Sequence, residues 1–165
     1  MAERWQATRE IAEQLGVRRC GAFHRDRLFL VAAASGGGFW VMTWWMVPVQ
    51  PMQWWQIGSW TFLSLAVVQP WLEEAVFRGL LQGRLSQWQR MRMHWRGFTA
   101  ANGVTALLFA AGHLVNHPAF WAVGVVIPAL IFGFFRDRYG SILPGTALHM
   151  LYNGGYFLMT GLPGR

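Results

Sequence analysis

Two adjacent glutamates, Glu73 and Glu74, lie inside a long apolar stretch, and Arg78 follows on the same stretch. Ionisable side chains inside a membrane-like segment cost a few kcal/mol each to insert, so they are candidates for function. On a helix, Glu74 and Arg78 share one face as an i, i+4 pair, whereas Glu73 lies about 100° further around the axis. We predict that Glu74 and Arg78 form a structural ion pair, and that Glu73 faces a polar cavity as a general base. The alternative is that all three form one structural ion cluster.

Two further polar pairs lie in other apolar stretches. Phe109 and His113 are one helical turn apart, and so are His149 and Asn153. Because residues i and i+4 share a face, His149 and Asn153 can aim two hydrogen-bond donors at one point, as an oxyanion requires. The alternatives are a polar anchor at the membrane boundary for His113 and an interhelical polar contact for the His–Asn pair. If the glutamate–arginine group and these two pairs meet at one site, a single function explains why three apolar stretches each contain polar residues that are costly to insert.

The elements that carry these residues are predicted to cross a membrane. Hydrophobic residues make up 54% of the chain and charged ones 13%, and no charged side chain occurs in 28–72 or 97–135. A span of about 20 apolar residues crosses a bilayer. We therefore predict an all-α fold, a polytopic transmembrane helix bundle forming a single domain over 1–165. The SGGG run at 35–38 predicts close helix packing. The predicted elements are an N-terminal surface helix at 3–16 and five crossings at about 28–47, 55–85, 98–115, 120–135 and 142–162.

The charges between the crossings predict the topology. The net charge of +7 comes from arginine without any lysine, and the loop arginines cluster in the N-terminal segment, in 84–96 and in a predicted turn at 136–138. The positive-inside rule then places the N-terminus in the cytoplasm and the C-terminus outside. No basic stripe or nucleic-acid motif accompanies the charge, so nucleic acid is not an expected partner. With Cys20 as the single cysteine, disulfides and thiolate metal sites are poorly supported.

Three segments resemble the motifs of the CAAX-protease and bacteriocin-processing (Abi) family of intramembrane endopeptidases. They are EEAVFRG at 73–79, FAAGH at 109–113 and HMLYN at 149–153. Their order and internal spacing are similar to those of the family, and the resemblance covers about residues 55–160. EExxxR alone is a weak signal, whereas the three motifs together within predicted crossings are a strong one.

The resemblance implies an activity and a role for each motif residue. Glu73 would activate a water that His113 helps to hold, without a metal or another cofactor. The remaining roles are oxyanion stabilisation by His149 and Asn153, and support of the site by Glu74, Arg78 and Phe109. The expected partners are the lipid bilayer and a membrane-embedded protein or peptide substrate. The expected location is the bacterial cytoplasmic membrane, with a task in C-terminal protein sorting or peptide maturation.

Other functions remain open from the residues alone. Two histidines and the glutamates could bind Zn²⁺ in a metal-dependent protease, although an asparagine is a poor zinc ligand. A non-enzymatic immunity protein could use the polar cluster to bind a partner's transmembrane helix. A transporter could relay protons through the carboxylates, but no inverted repeat supports it. The chain lacks the HExxH, GxSG and GxGD signatures of other intramembrane proteases.

Overall fold

In the computed structural model, residues 12, 15–17, 20–46 and 50–163 are described, and most of them are helical. Helices occupy all five places where the sequence predicts a crossing. The main elements are α1 (Arg27–Met46), α2 (residues 60–85), the strands β1 (His94–Trp95) and β2 (Phe98–Thr99), α3 (Ala100–His113), α4 (Ala119–Tyr139) and α5 (Leu143–Thr160). Short 3₁₀ segments lie at Phe23–Arg25, Trp54–Gln56 and Gln89–Arg92. The predicted surface helix at 3–16 falls almost wholly outside the described residues.

Helix α2 alternates between α-helical and π-helical turns. Ser59 caps its start, since the Ser59 hydroxyl accepts a hydrogen bond from the Phe62 N–H at 3.2 Å. The π-helical segments are Ser64–Val68 and Ala75–Gln82. The sequence predicts a kink or a restart at Pro70; the helix continues through this residue, with a π-helical segment just before it. A proline ring crowds the carbonyl four residues back, and that carbonyl lies within the π-helical segment. Such segments are rare and concentrate at functional sites.

A β-hairpin connects α2 to α3, where the sequence predicts only a basic loop. His94 pairs with Thr99 and Trp95 with Phe98 in antiparallel register. The two turn residues, Arg96 and Gly97, both have positive φ, 49° and 90°, as a two-residue hairpin turn requires. Thr99 then caps α3, because its hydroxyl accepts a hydrogen bond from the Asn102 N–H at 3.0 Å. The small hairpin is the exception to the predicted all-α class.

The turn predicted at 136–138 is wrong. Those residues belong to the last helical turn of α4, which ends at Tyr139 and is capped by Gly140. Gly140 has a φ of 62° and its N–H bonds the Arg136 carbonyl at 2.9 Å. Helices commonly end at a glycine in the left-handed conformation. Gly140 therefore ends α4, whereas Arg136 and Arg138 are part of the helix.

Two of the described helices are long and apolar enough to cross a membrane by length and composition. They are Arg27–Trp45, with a mean hydropathy of 1.3, and Ala119–Tyr139, with 1.9. The other three predicted crossings are helical but do not meet the same criterion. The five-crossing bundle therefore stays a prediction.

The chain divides into two compact units. The first contains Glu73–Gly145 with the described residues up to 21, and the second contains Ala22–Leu72 with the described part of 146–165. The predicted single domain is not tested by this division. In the first unit Phe109, Ala106 and Ala129 form a buried cluster between α3 and α4.

In the second unit α1 packs tightly against α5. The Trp40 indole N–H donates to the Tyr152 carbonyl at 3.2 Å, and the Tyr152 hydroxyl donates to the Ala32 carbonyl at 2.6 Å. A Cβ at Gly36 would lie 2.6 Å from the Tyr152 ring, and one at Gly155 would overlap the Trp40 ring. Glycine lets side chains of the opposite helix approach this closely, so the close packing predicted from the SGGG run is confirmed at Gly36.

Candidate active site

The ion pair that the i, i+4 spacing predicts is present on α2. Arg78 Nη1 lies 2.8 Å from Glu74 Oε1, and the two side chains are 1% and 0% exposed. The second terminal nitrogen, Arg78 Nη2, donates to the Ala129 carbonyl of α4 at 3.0 Å. Because both charges are removed from solvent, each depends on the other and on these short hydrogen bonds.

Aromatic rings surround the guanidinium of Arg78 and connect α2 to α3. The guanidinium carbon lies 4.5 Å from the centroid of the Phe109 ring and 5.3 Å from that of Phe132. Phe77 meets the same Phe109 ring edge to face, with centroids 5.0 Å apart. A delocalised, weakly hydrated cation is well suited to aromatic faces. Two of the three sequence motifs therefore meet at Phe109.

His113 extends this contact by one helical turn. Its ring centroid lies 4.8 Å from that of Phe109, and its Nδ1 lies 2.9 Å from the Phe109 carbonyl oxygen. A carbonyl only accepts hydrogen bonds, so Nδ1 carries the proton in the neutral ring. Nε2 is then the acceptor nitrogen, and it can accept a hydrogen bond from a water. His113 is half-buried, and the His117 ring stacks on it at a centroid distance of 6.0 Å.

The two glutamates differ in burial. Glu74 is fully buried beside Arg78, whereas Glu73 is half-buried. A Cβ added at Gly145, in the first turn of α5, would lie 3.0 Å from Glu74 Oε2. Because glycine has no Cβ, the first turn of α5 can lie this close to the carboxylate. The role of Glu73 as a base stays a prediction.

His149 and Asn153 lie on α5 within the second compact unit. His149 is buried and Asn153 is half-buried. The Asn153 Nδ2 donates to the Leu65 carbonyl at 3.2 Å, so one amide N–H is committed to the π-helical segment of α2. In the first unit, by contrast, the ion pair and the ring contacts bring Glu74, Arg78, Phe109 and His113 together. Convergence of all three motifs stays a prediction.

A polar ladder between α2 and α4 was missed from the sequence. It consists of Arg78 and Gln82 on α2 and of Ala129, Gly133 and Asp137 on α4. The Gln82 amide N–H₂ donates to the Gly133 carbonyl at 2.9 Å and to Asp137 Oδ1 at 2.8 Å. Donors and acceptors both repeat every four residues, so the ladder fixes the position of Arg78 along α4. The sequence does contain one indication of this ladder: Glu74, Arg78 and Gln82 are spaced four residues apart, which places three polar side chains on one face of α2.

The ladder also reaches α3. The Thr99 hydroxyl donates to Asp137 Oδ2 at 2.7 Å, and the buried Asn102 amide donates to the Leu130 carbonyl at 2.9 Å. Gly133 lies between these groups, since a Cβ there would overlap the Asn102 side-chain oxygen and come 2.9 Å from Gln82 Oε1. Among the described residues, no three His, Cys, Asp or Glu side chains are grouped so that they could hold a metal ion.

Comparison with known protein families gives a match over most of the chain. A family model described as type II CAAX prenyl endopeptidase Rce1-like matches residues 53–155, which include all three motifs and the whole of α2 and α3. No curated protein and no solved structure matches the chain.

Proposed function

The chain belongs to the Rce1-like family of CAAX-type membrane-embedded proteases, and from this membership we propose that it hydrolyses a peptide bond with a water activated by Glu73. The family match supports peptide-bond hydrolysis, and the buried ion pair of Glu74 with Arg78 supports the assignment of Glu73 as the base. Glu74 is tied to Arg78 at 2.8 Å, so its carboxylate is already engaged as a counter-charge. Glu73 is the less buried of the two, and we assign the proton transfer to it.

In the proposed reaction His113 orients the attacking water. With Nδ1 bonded to the Phe109 carbonyl, Nε2 accepts a hydrogen bond from the water while Glu73 takes the proton. The water oxygen then bonds the carbonyl carbon of the scissile peptide, and His149 and Asn153 donate to the resulting oxyanion. The carbon–nitrogen bond breaks, and the proton held by Glu73 passes to the leaving amine.

The family description supports a membrane-associated substrate with a C-terminal CAAX sequence as the first to test. We place the protein in the bacterial cytoplasmic membrane with five crossings, a cytoplasmic N-terminus and an external C-terminus. Its proposed substrates are membrane-embedded proteins or peptides that undergo C-terminal sorting or maturation.

The experiment uses purified full-length protein in detergent or nanodiscs with a peptide that ends in a farnesylated cysteine and three further residues. Mass spectrometry should detect the released tripeptide and the farnesylated fragment. A metal chelator should leave the rate unchanged if Glu73 and His113 hold the water without metal. Loss of cleavage with the chelator and its return with Zn²⁺ would replace this mechanism by the metal-dependent one. Absence of cleavage of this peptide and of membrane-anchored peptides would contradict the proposed protease function.

A further inference from the structure

The backbone carbonyl of Leu65 on α2 loses both of its usual helical donors. In an α-helix this carbonyl would accept from the N–H of residue 69. Here the Gln69 N–H instead bonds Ser64, because residues 64–68 are π-helical. In the π-helical pattern the donor to Leu65 would be residue 70, five positions on. Residue 70 is proline and has no N–H.

The carbonyl of Leu65 is satisfied by the side chain of Asn153. Its Nδ2 lies 3.2 Å from that oxygen, and both residues belong to the second compact unit. A carbonyl that is shielded from water and has no donor costs free energy. Leu65 is half-buried, so the contact satisfies its carbonyl and also orients the amide group. One amide N–H is used, and the planar amide then gives the second N–H and Oδ1 fixed directions.

We propose that Pro70 is a positioning residue for Asn153. Because proline has no N–H to donate, the Leu65 carbonyl remains available to accept a hydrogen bond from the Asn153 side chain. The hydrogen bond to the Leu65 carbonyl fixes the plane of the Asn153 amide and therefore the direction of its second N–H. In the proposed function this second N–H donates to the oxyanion. The catalytic part of this inference rests on the proposed function. The part that concerns the hydrogen bond between Asn153 and Leu65 is independent of the proposed function.

The substitution that tests this is Pro70→Ala, which returns an N–H opposite the Leu65 carbonyl. Alanine restores a helical N–H but removes ring carbons from a fully buried site, so the melting temperature of the variant is measured to check that it folds. The new N–H competes for Leu65, and Asn153 loses its anchor. The kcat for the farnesylated peptide should fall roughly 10-fold to 10²-fold with KM nearly unchanged, because a donor displaced by about 1 Å costs on that scale.

The matched control is Pro128→Ala, since Pro128 also lies inside a helix, α4. It should raise the melting temperature without lowering kcat. In an Asn153→Ala background, Pro70→Ala should cause no further loss of activity, because the residue it positions is already gone. Additive losses in this double variant, or an unchanged kcat in Pro70→Ala, would overturn the catalytic part.

A measurement without substrate tests the hydrogen bond by itself. In protein labelled with ¹⁵N-asparagine, the side-chain amide protons of Asn153 should exchange with solvent several-fold faster in Pro70→Ala than in the parent. The same resonance should be unaffected in Pro128→Ala. Unchanged exchange in Pro70→Ala would overturn the positioning role even if the protein cleaves its substrate. Faster exchange in a protein that cleaves nothing would uphold the hydrogen bond and reject the proposed function alone.

Discussion

Replacing Glu74 by glutamine tests whether the ion pair with Arg78 is a support that the fold depends on. The substitution preserves the shape of the side chain and its acceptor oxygen but removes the charge. Arg78 would keep its hydrogen bond to the Ala129 carbonyl and its two aromatic neighbours. It would be left as a buried cation, 1% exposed, without the carboxylate that contacts it, and only the charge of Glu73 would remain as an electrostatic partner.

Removing one partner of a buried pair costs roughly 3–5 kcal/mol. In Glu74→Gln the amide oxygen of the introduced side chain can still accept from Arg78 Nη1, since the 2.8 Å contact is to the oxygen that the substitution retains. We therefore expect a loss near the lower end, about 3 kcal/mol of unfolding free energy. Adding Arg78→Gln removes the unpaired charge and should recover part of that loss.

The assay is denaturant unfolding in detergent, followed by tryptophan fluorescence, for the parent, both single variants and the double variant. Arg138→Gln is the control, because Arg138 is exposed at the end of α4 and surface changes of this kind stay within about 0.5 kcal/mol. If the two single losses simply add in the double variant, Glu74 and Arg78 are not coupled. That result would refute their assignment as a mutually dependent pair.

Two other predictions concern the polar ladder and the topology. Gly133→Ala should destabilise the protein by about 1–3 kcal/mol in the same unfolding assay, because the new Cβ overlaps the Asn102 side chain. Gly124→Ala on the same helix meets no atom within 4 Å and should be neutral or stabilising; equal losses for both would contradict the close approach. A topology reporter fused after Arg165 should be external and one inserted near Gln89 should be cytoplasmic, and finding both on one side would exclude five crossings.

Features that depend on local spacing could be predicted from the sequence. The positions of the helices follow from uninterrupted apolar stretches, and the Glu74–Arg78 pair follows from the four-residue period of one helix. The predicted end of α4 is wrong because the charged residues 136–138 resemble a turn in the sequence but are helical. The sequence contains the correct signal in Gly140, whose positive φ ends the helix.

Contacts between side chains and distant backbone groups could not be predicted. Gln82 bonds a carbonyl 51 residues away, and every residue has such a carbonyl, so its type carries no information. The partner of Asn153 depends on a change from α-helical to π-helical hydrogen bonding near Leu65. No residue pattern in the sequence predicts that change, although Pro70 shows that one further donor to Leu65 is missing.

The most direct test of the proposed mechanism is the rate of cleavage by Glu73→Gln relative to the parent, measured with the same farnesylated peptide. The substitution preserves the side-chain shape and removes the base, so kcat should fall by roughly 10²–10⁴, the usual contribution of acid–base catalysis. The melting temperature should not fall below the parent value, because a neutral amide is cheaper to bury than a carboxylate. Cleavage at the parental rate by a folded Glu73→Gln protein would contradict the glutamate mechanism.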